Sequence, residues 1–357
     1  MIVFHRPEGN AAGRPAKAIA VLEGEAPMTS REIVLRTVHF EGPERIAMSL
    51  PPPYPNDFAH CGASPPAGWQ EKRWREGDME LWIDEWGCTW GRLGGISKGE
   101  VVRSPIETWD DFPKYVPPDI DNPARYEKAR RVFSENPDKY RLGHIHGFAF
   151  NCARYLRRMD RYLADVALEP EKVIALNRMV EDKLEGAIRR LAAAGADGIM
   201  FAEDWGTQDR LLVNPKTWRE MFKPGFRRLC GVCHELGMDV FMHSCGYIFD
   251  IIEDLIEVGI NVLQFDQPTL HGVDNLSTRF GGRVTFWCPV DIQRTLQTRD
   301  PEIIRRGARE LIEKLGKFEG GFIAGYYGDN VAIGLTPDVQ DHACRAFVEF
   351  GTYHRKG

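Results

Sequence analysis

From residue 140 onward the chain alternates short apolar runs with longer stretches in which apolar residues recur every three or four positions. The runs are "RLGHIHGF" (141–148), "GADGIMFAED" (195–204), "MDVFMHSCG" (238–246), "INVLQFDQP" (260–268), "RVTFWCPVD" (283–291) and "GGFIAGYYGD" (320–329). Between most of them lie segments of helical period: 170–195, 214–237, 300–316, the shorter 248–259, and 336–351 at the end. Apolar runs of strand length alternating with amphipathic helices predict parallel strands joined by helical crossovers. Upstream, "MTSREIVLRTVHFEG" predicts a helix with Thr29 or Ser30 as its N-cap and Gly42 beyond its end. "RIAMSL" (45–50) predicts a first strand, followed by the Pro-rich loop "PPPYPNDF". That makes seven strands, close to the eight of a (β/α)8 TIM-type barrel. An open doubly wound sheet is the alternative, and no glycine-rich dinucleotide fingerprint follows any of the runs to favour it.

Residues 69–105 break the alternation. They are dense in Trp and Gly, as in "ELWIDEWGCTWGRLGGISKGEVV", and predict a β-hairpin or small meander inserted near the N-terminus. The predicted organisation is a loose arm over 1–28 and one barrel domain over 29–357, elaborated at about 51–120. The Trp-rich insert either covers the barrel mouth or forms a small β core of its own.

Composition narrows the function classes. The 357 residues are 43% hydrophobic and 27% charged, the balance of a globular protein with a sizeable core. A net charge of −6 and the lack of a basic patch exclude a nucleic-acid partner. No apolar run reaches the length of a membrane span, and the N-terminus lacks the apolar stretch of a signal peptide, so a cytoplasmic protein is expected. Eight cysteines are too sparse for a disulfide scaffold, and most are expected as small core residues. The pair Cys230-x-x-Cys233 falls inside a predicted amphipathic helix with no second pair, and core packing is the better reading of it.

Candidate chemistry sits at the ends of the predicted strands, where barrels of this kind build their active sites. Those ends carry His144 and His146, Glu203 and Asp204, His243 and Cys245, Asp266 and Gln267, Cys288 and Asp291, and Tyr326 and Asp329. In "FMHSCGY" His243 and Cys245 are two residues apart, and side chains at i and i+2 on a strand share a face. An imidazole and a thiol in one small volume are good ligands for a borderline-soft metal such as zinc. By the same rule His144 and His146 share a face, as a substrate-polarising pair or as support for the site.

Four stretches give the chain a likeness to known proteins: "SREIVLRTVHFEGPERIAMSL", "FNCARYLRRMDRYLADVALEPEKV", "EDWGTQDRLLVNPKTWREMFKP" and "FMHSCGYIFDIIEDLIEVGINVLQFDQP". Over 29–50 and most of 150–345 the sequence resembles the uroporphyrinogen decarboxylase-like superfamily, and within it the zinc-dependent methyltransferases that work with corrinoid proteins. True uroporphyrinogen decarboxylases carry an arginine-rich "RQAGR" segment that grips propionates, whereas the corresponding region here, "MSLPPPYPND", has no arginine. The methyltransferases use His-x-Cys plus a later cysteine as metal ligands. His243 and Cys245 match the first two, and at the third position the chain reads "AGYYGDN". Cys288 and Glu203, both at strand ends, are the candidates to complete the set, with Tyr326 behind them.

The resemblance implies a zinc-dependent methyltransferase that exchanges a methyl group with cobalamin, carried on a separate corrinoid protein, and it implies a homodimer. A methoxy compound or a thiol is the expected small-molecule substrate. Asp204, Asp266, His146 and Tyr326 are the expected catalytic groups, orienting substrate or moving protons. The alternatives are a metal-assisted decarboxylase or lyase acting on a small carboxylate, and a non-catalytic descendant that binds a ligand.

Overall fold

The computed structural model describes residues 27–94 and 99–353. The loose arm expected over 1–28 therefore lies almost wholly outside the described residues, as does the middle of the "LGGISKGE" turn.

In chain order the strands are β1 (Ala47–Met48), β2 (Phe58–Gly62), β3 (Lys72–Glu76), β4 (Met79–Ile83), β5 (Thr89–Leu93), β6 (Glu100–Arg103), β7 (Tyr140–His144), β8 (Gly198–Ala202), β9 (Asp239–His243), β10 (Val262–Gln264), β11 (Thr285–Cys288) and β12 (Phe322–Ala324). Eight of them form one curled parallel sheet in the order β1-β12-β11-β10-β9-β8-β7-β2. Just past β1 and just before β2, its two edge strands, the chain makes an isolated antiparallel bridge between Ser49 and Asn56. Asp57 fastens this seam: its carboxylate accepts hydrogen bonds from Met48 N at 2.8 Å, from Arg45 at 2.6 and 2.8 Å, and from Ser30 Oγ at 2.7 Å.

Every one of the seven expected strands is present. The eighth, β2, was not expected; it begins at Phe58, the last residue of the Pro-rich loop. Its five residues, "FAHCG", contain no branched aliphatic residue and present a histidine inward, so nothing in their pattern marks a strand.

Side-chain parity divides the sheet into two faces. Ala47, Phe58, Tyr140, Leu142, Phe241, Val262, Trp287 and Ile323 form one buried cluster, with Met200 packed against it. All eight strands contribute, so this is the barrel interior. Phe58 of β2 stacks on Trp287 of β11 at 5.0 Å and meets Phe241 of β9 edge-on, contacts only a closed curl allows. The helix Ser30–His39 inserts Ile33, Val34 and Val38 into the same cluster and plugs one end of the barrel. Thr29 is its N-cap, in a reciprocal capping box with Glu32.

The alternate residues, including Ile199, Phe201, Val240, Met242, Leu263, Phe286, Cys288, Phe322 and Ala324, pack outward against the helices. Cys230 and Cys233 are buried there, on Lys223–Glu235, in the expected core role. The helix expected over 214–237 is two helices, Pro215–Met221 and Lys223–Glu235, broken where Pro224 withholds a backbone donor. No described helix is long and apolar enough to cross a membrane.

The Trp-rich insert is a four-stranded antiparallel meander, β3-β4-β5-β6. It has a stacked Trp82–Trp90 pair, and it also reaches the mouth, where Trp86 meets His146 and Trp90 meets Tyr155 edge-on at 4.7 Å.

Candidate metal centre

The sheet's C-terminal edge opens into a cavity of about 830 Å³. His144, His146, Asp204, His243, Cys245, Asp266 and Tyr326 all line it, so seven of the predicted strand-end groups converge on one space. Parity explains which ones. On β8 and its extension, Met200 faces inward and Ile199 and Phe201 outward, which carries Asp204 into the cavity and Glu203 away from it. On β9, Phe241 is inward, so His243 and Cys245 follow on the same side. On β11, Trp287 is inward and Cys288 therefore faces the helices.

Among the described residues, one group brings three metal-competent side chains together: Asp204, His243 and Cys245, whose ligand atoms all lie within 4.8 Å of one another. His243 Nε2 is 3.2 Å from Cys245 Sγ and 3.6 Å from Asp204 Oδ1. Ligands around a tetrahedral zinc, at bond lengths of about 2.0–2.3 Å, stand roughly 3.3–3.8 Å apart, so small side-chain shifts would bring the three onto one ion. One nitrogen, one sulfur and one oxygen donor leave a fourth position for water or substrate, the pattern of catalytic zinc.

The surroundings hold the three groups in place. Cys245 N–H donates to Asp204 Oδ1 at 2.8 Å, which ties the two ligand-bearing loops together. Gly246, at φ +78°, packs so closely on Gly206 that a Cβ would lie 2.1 Å from its carbonyl oxygen, so only glycine permits this approach. His243 Nδ1 is hydrogen-bonded to Gln264 Oε1, and Gln264 Nε2 donates to Asp266 Oδ1 at 2.8 Å. A carbonyl oxygen at Nδ1 requires the proton there, which leaves Nε2 with its lone pair toward Cys245 and Asp204.

The other predicted residues fall outside the trio. Glu203 is fully buried; Oε1 accepts the Asn151 N–H at 3.0 Å, at the start of the helix Ala149–Arg157, and Oε2 has no partner. Burial raises its carboxyl to about 8, against the opposing pull of that hydrogen bond and of Arg154, and the side chain serves to cap a helix. Burial likewise pushes the Cys288 thiol up. Asp291 caps a turn through the amides of Gln293 and Arg294.

Tyr326 lines the cavity with its hydroxyl accepting from Asn330 Nδ2 at 2.8 Å. Its neighbour Tyr327 divides the main cavity from a second one of about 290 Å³, and Cys245 and Asp266 border both. His146 lies 3.8 Å from Glu85, itself clamped by Arg125 at 2.7 Å. Asp204 as a third ligand, Gln264 as the support of His243, and His60 on the missed strand β2 were not anticipated. Parity points to the first only once β9 is in register on β8, with His243 level with Ala202. Nothing in the sequence pairs Gln264 with His243 before the register of β10 on β9 is known.

Residues 94–353 match the family model for uroporphyrinogen decarboxylase. No curated protein matches the sequence significantly. Among solved structures, a methyltransferase from Methanosarcina mazei is similar over 74% of this chain and 76% of its own, at 17% identity and a TM-score of 0.59. A D-psicose 3-epimerase from Clostridium cellulolyticum is similar over 68% of this chain and 85% of its own, at 12% identity and a TM-score of 0.41. A 3-keto-D-glucoside 4-epimerase from E. coli is similar over 69% and 96%, at 12% identity and a TM-score of 0.39. At 17% identity the likeness to the methyltransferase is one of fold.

Proposed function

The chain belongs to the uroporphyrinogen decarboxylase family, and from that premise we propose that it is a zinc-dependent methyltransferase that exchanges a methyl group with a corrinoid carrier. The observation that carries this reading is the convergence of Asp204, His243 and Cys245 at the cavity mouth. Porphyrinogen decarboxylation is disfavoured by the absence of arginine from 48–57.

Asp204, His243 and Cys245 would hold the zinc ion, which as a Lewis acid supplies polarisation of the atom that carries or receives the methyl group. A corrinoid, when present, supplies the cobalt that carries the methyl group. The remaining work falls to the chain's own side chains. Gln264 and Asp266 fix the His243 tautomer and its ring plane. Tyr327 and Trp287 wall the cavity with aromatic surface and displace water from the reacting groups. Asp266, at the border of both cavities, and the Tyr326 hydroxyl would accept or release a proton at the mouth.

Metal content by mass spectrometry on the purified protein is the test. About one zinc per chain is expected, lost in His243→Ala and Cys245→Ala. A folded protein that takes up no zinc after reconstitution would overturn the reading. With zinc established, demethylation of methylcobalamin followed by its absorbance tests the carrier.

A further inference from the structure

The proposed chemistry leaves one polar pair in the barrel unused. His60 on β2 and His144 on β7 lie side by side, with His60 Nδ1 2.8 Å from His144 Nε2. Their rings are 5.0 Å apart, and His60 is 6.5 Å from the Trp287 ring. Gly62 makes room for His144: a Cβ at that position would lie 2.9 Å from its carbonyl oxygen. The pair is not implied by the family match, because His60 precedes residues 94–353.

One ring N–H donates to the other ring's nitrogen, whichever tautomer is present. The two outer nitrogens, His60 Nε2 and His144 Nδ1, are then always one donor and one acceptor. Neither has a protein partner among the described residues; His144 lines the cavity, and His60, although ringed by barrel atoms, keeps solvent-accessible surface. Burial among barrel atoms lowers His60 to about 4, with the neighbouring His144 adding to the effect, and it lowers His144 too, so the pair is uncharged at neutral pH. A neutral donor beside a neutral acceptor matches a hydroxyl group, which has one of each. A carboxylate has only acceptors, so it could satisfy the pair's donor but would leave the pair's lone electron pair facing an anion.

Strand register places the pair relative to the trio. His144 is level with Met200 on β8, and His60, level with Leu142, lies two residues deeper; His243 is level with Ala202, two residues nearer the mouth than His144. Two residues of strand rise roughly 6.6 Å, about the length of a six-membered ring with one substituent. We propose that His60 and His144 anchor an uncharged hydroxyl group of the substrate at the inner end of the cavity while its reacting group lies at Asp204, His243 and Cys245. The second half of that statement rests on the function proposed above, and the first half does not.

The probes are phenol, toluene and benzoate, which share a ring and differ in the group offered to the pair. Their binding is measured by ligand-observed NMR on the full chain without added metal, and zinc uptake is measured on aliquots of the same samples. Phenol is expected to bind about tenfold more tightly than toluene, the worth of one to two neutral hydrogen bonds, and benzoate no better than toluene. In His60→Phe and His144→Phe, phenol should fall to the level of toluene while zinc uptake is unchanged. Because the His60 side chain is exposed, His60→Phe is the deciding variant should His144→Phe fail to fold. Equal binding of phenol and toluene by the unaltered protein, benzoate binding as tightly as phenol, or phenol affinity unmoved in His60→Phe would each overturn the anchor. Zinc uptake in the same samples keeps the two proposals apart: its absence with phenol selectivity intact sinks the methyltransferase reading alone.

Discussion

Replacing Gln264 with Leu tests the proposed metal centre without touching a ligand. The glutamine carbonyl accepts from His243 Nδ1, and its amide donates to Asp266 at 2.8 Å, so the side chain links an anion to the imidazole through one amide. Leucine is close in size and fills the same space between β9 and β11, but it leaves the half-buried Nδ1–H without an acceptor. The free protein can lessen that loss by turning the ring or moving the proton to Nε2. The metal-bound protein cannot, because Nε2 is then committed and the ring is more polarised, so Nδ1–H is a stronger donor. The cost therefore falls mainly on the bound state. Loss of such support typically weakens metal affinity 10–100-fold, or about 1.4–2.7 kcal/mol. Competition with a chromophoric chelator on unaltered, Gln264→Leu and Cys245→Ala protein measures it. The expected order is unaltered, then Gln264→Leu one to two decades weaker, then Cys245→Ala with no competent site. Unchanged zinc affinity in Gln264→Leu would refute the argument that Gln264 sets the His243 tautomer.

Parity on β8 predicts that Asp204→Asn loses zinc affinity while Glu203→Gln and Cys288→Ala retain it, and zinc stoichiometry after dialysis distinguishes them. Phe58→Ala should destabilise the fold by about 3–5 kcal/mol in urea unfolding, because the ring is buried against Tyr140, Phe241 and Trp287 at the barrel seam. His39, hydrogen-bonded to Asp239, has its pKa raised above the ordinary 6.5 by that bond, with burial opposing. A raised folded-state pKa stabilises fully below the unfolded value and is lost as pH climbs through the folded one. Stability should therefore decline as pH rises from about 6.5, and His39→Gln should remove that component of a urea–pH series.

Alternation of apolar runs and amphipathic helices was enough to find seven of eight strands, because parallel barrel strands are buried on both faces and read as continuous apolar segments. The strand it missed is short and carries His60 and Gly62, chosen for what they do inside the barrel rather than for strand propensity. The candidate site was half legible. The i, i+2 spacing of His243 and Cys245 survives folding because both lie on one strand and its extension. The third member could not be taken from composition, since Glu203 and Asp204 are adjacent carboxylates with opposite fates. Only the inward direction of Met200 decides between them, and that depends on which face of β8 meets the other seven strands. Gln264 was illegible for a longer-range reason: its partner is 21 residues away, and their meeting is set by the pairing of β10 on β9.

A proposed site of one imidazole, one carboxylate and one thiolate makes a further demand that counts sulfurs directly. At the position where the resemblance expects a cysteine, the chain has Tyr326 and Tyr327, and the group drawn to the trio is Asp204, four strands away around the barrel. The charge of the ligand set is unchanged by exchanging a thiolate for a carboxylate, but the donor is harder, so the metal keeps more of its positive character and favours oxygen over sulfur in its open position. Cobalt(II) in place of zinc makes the sulfur count visible, because each coordinated thiolate adds a charge-transfer band in the near ultraviolet. The reconstituted protein should show the intensity of a single thiolate, abolished in Cys245→Ala and unmoved in Cys288→Ala. Intensity for two thiolates, halved in Cys288→Ala, would place Cys288 on the metal. That outcome would require β11 to turn its helix-facing residue into the barrel and would break the parity on which the trio stands.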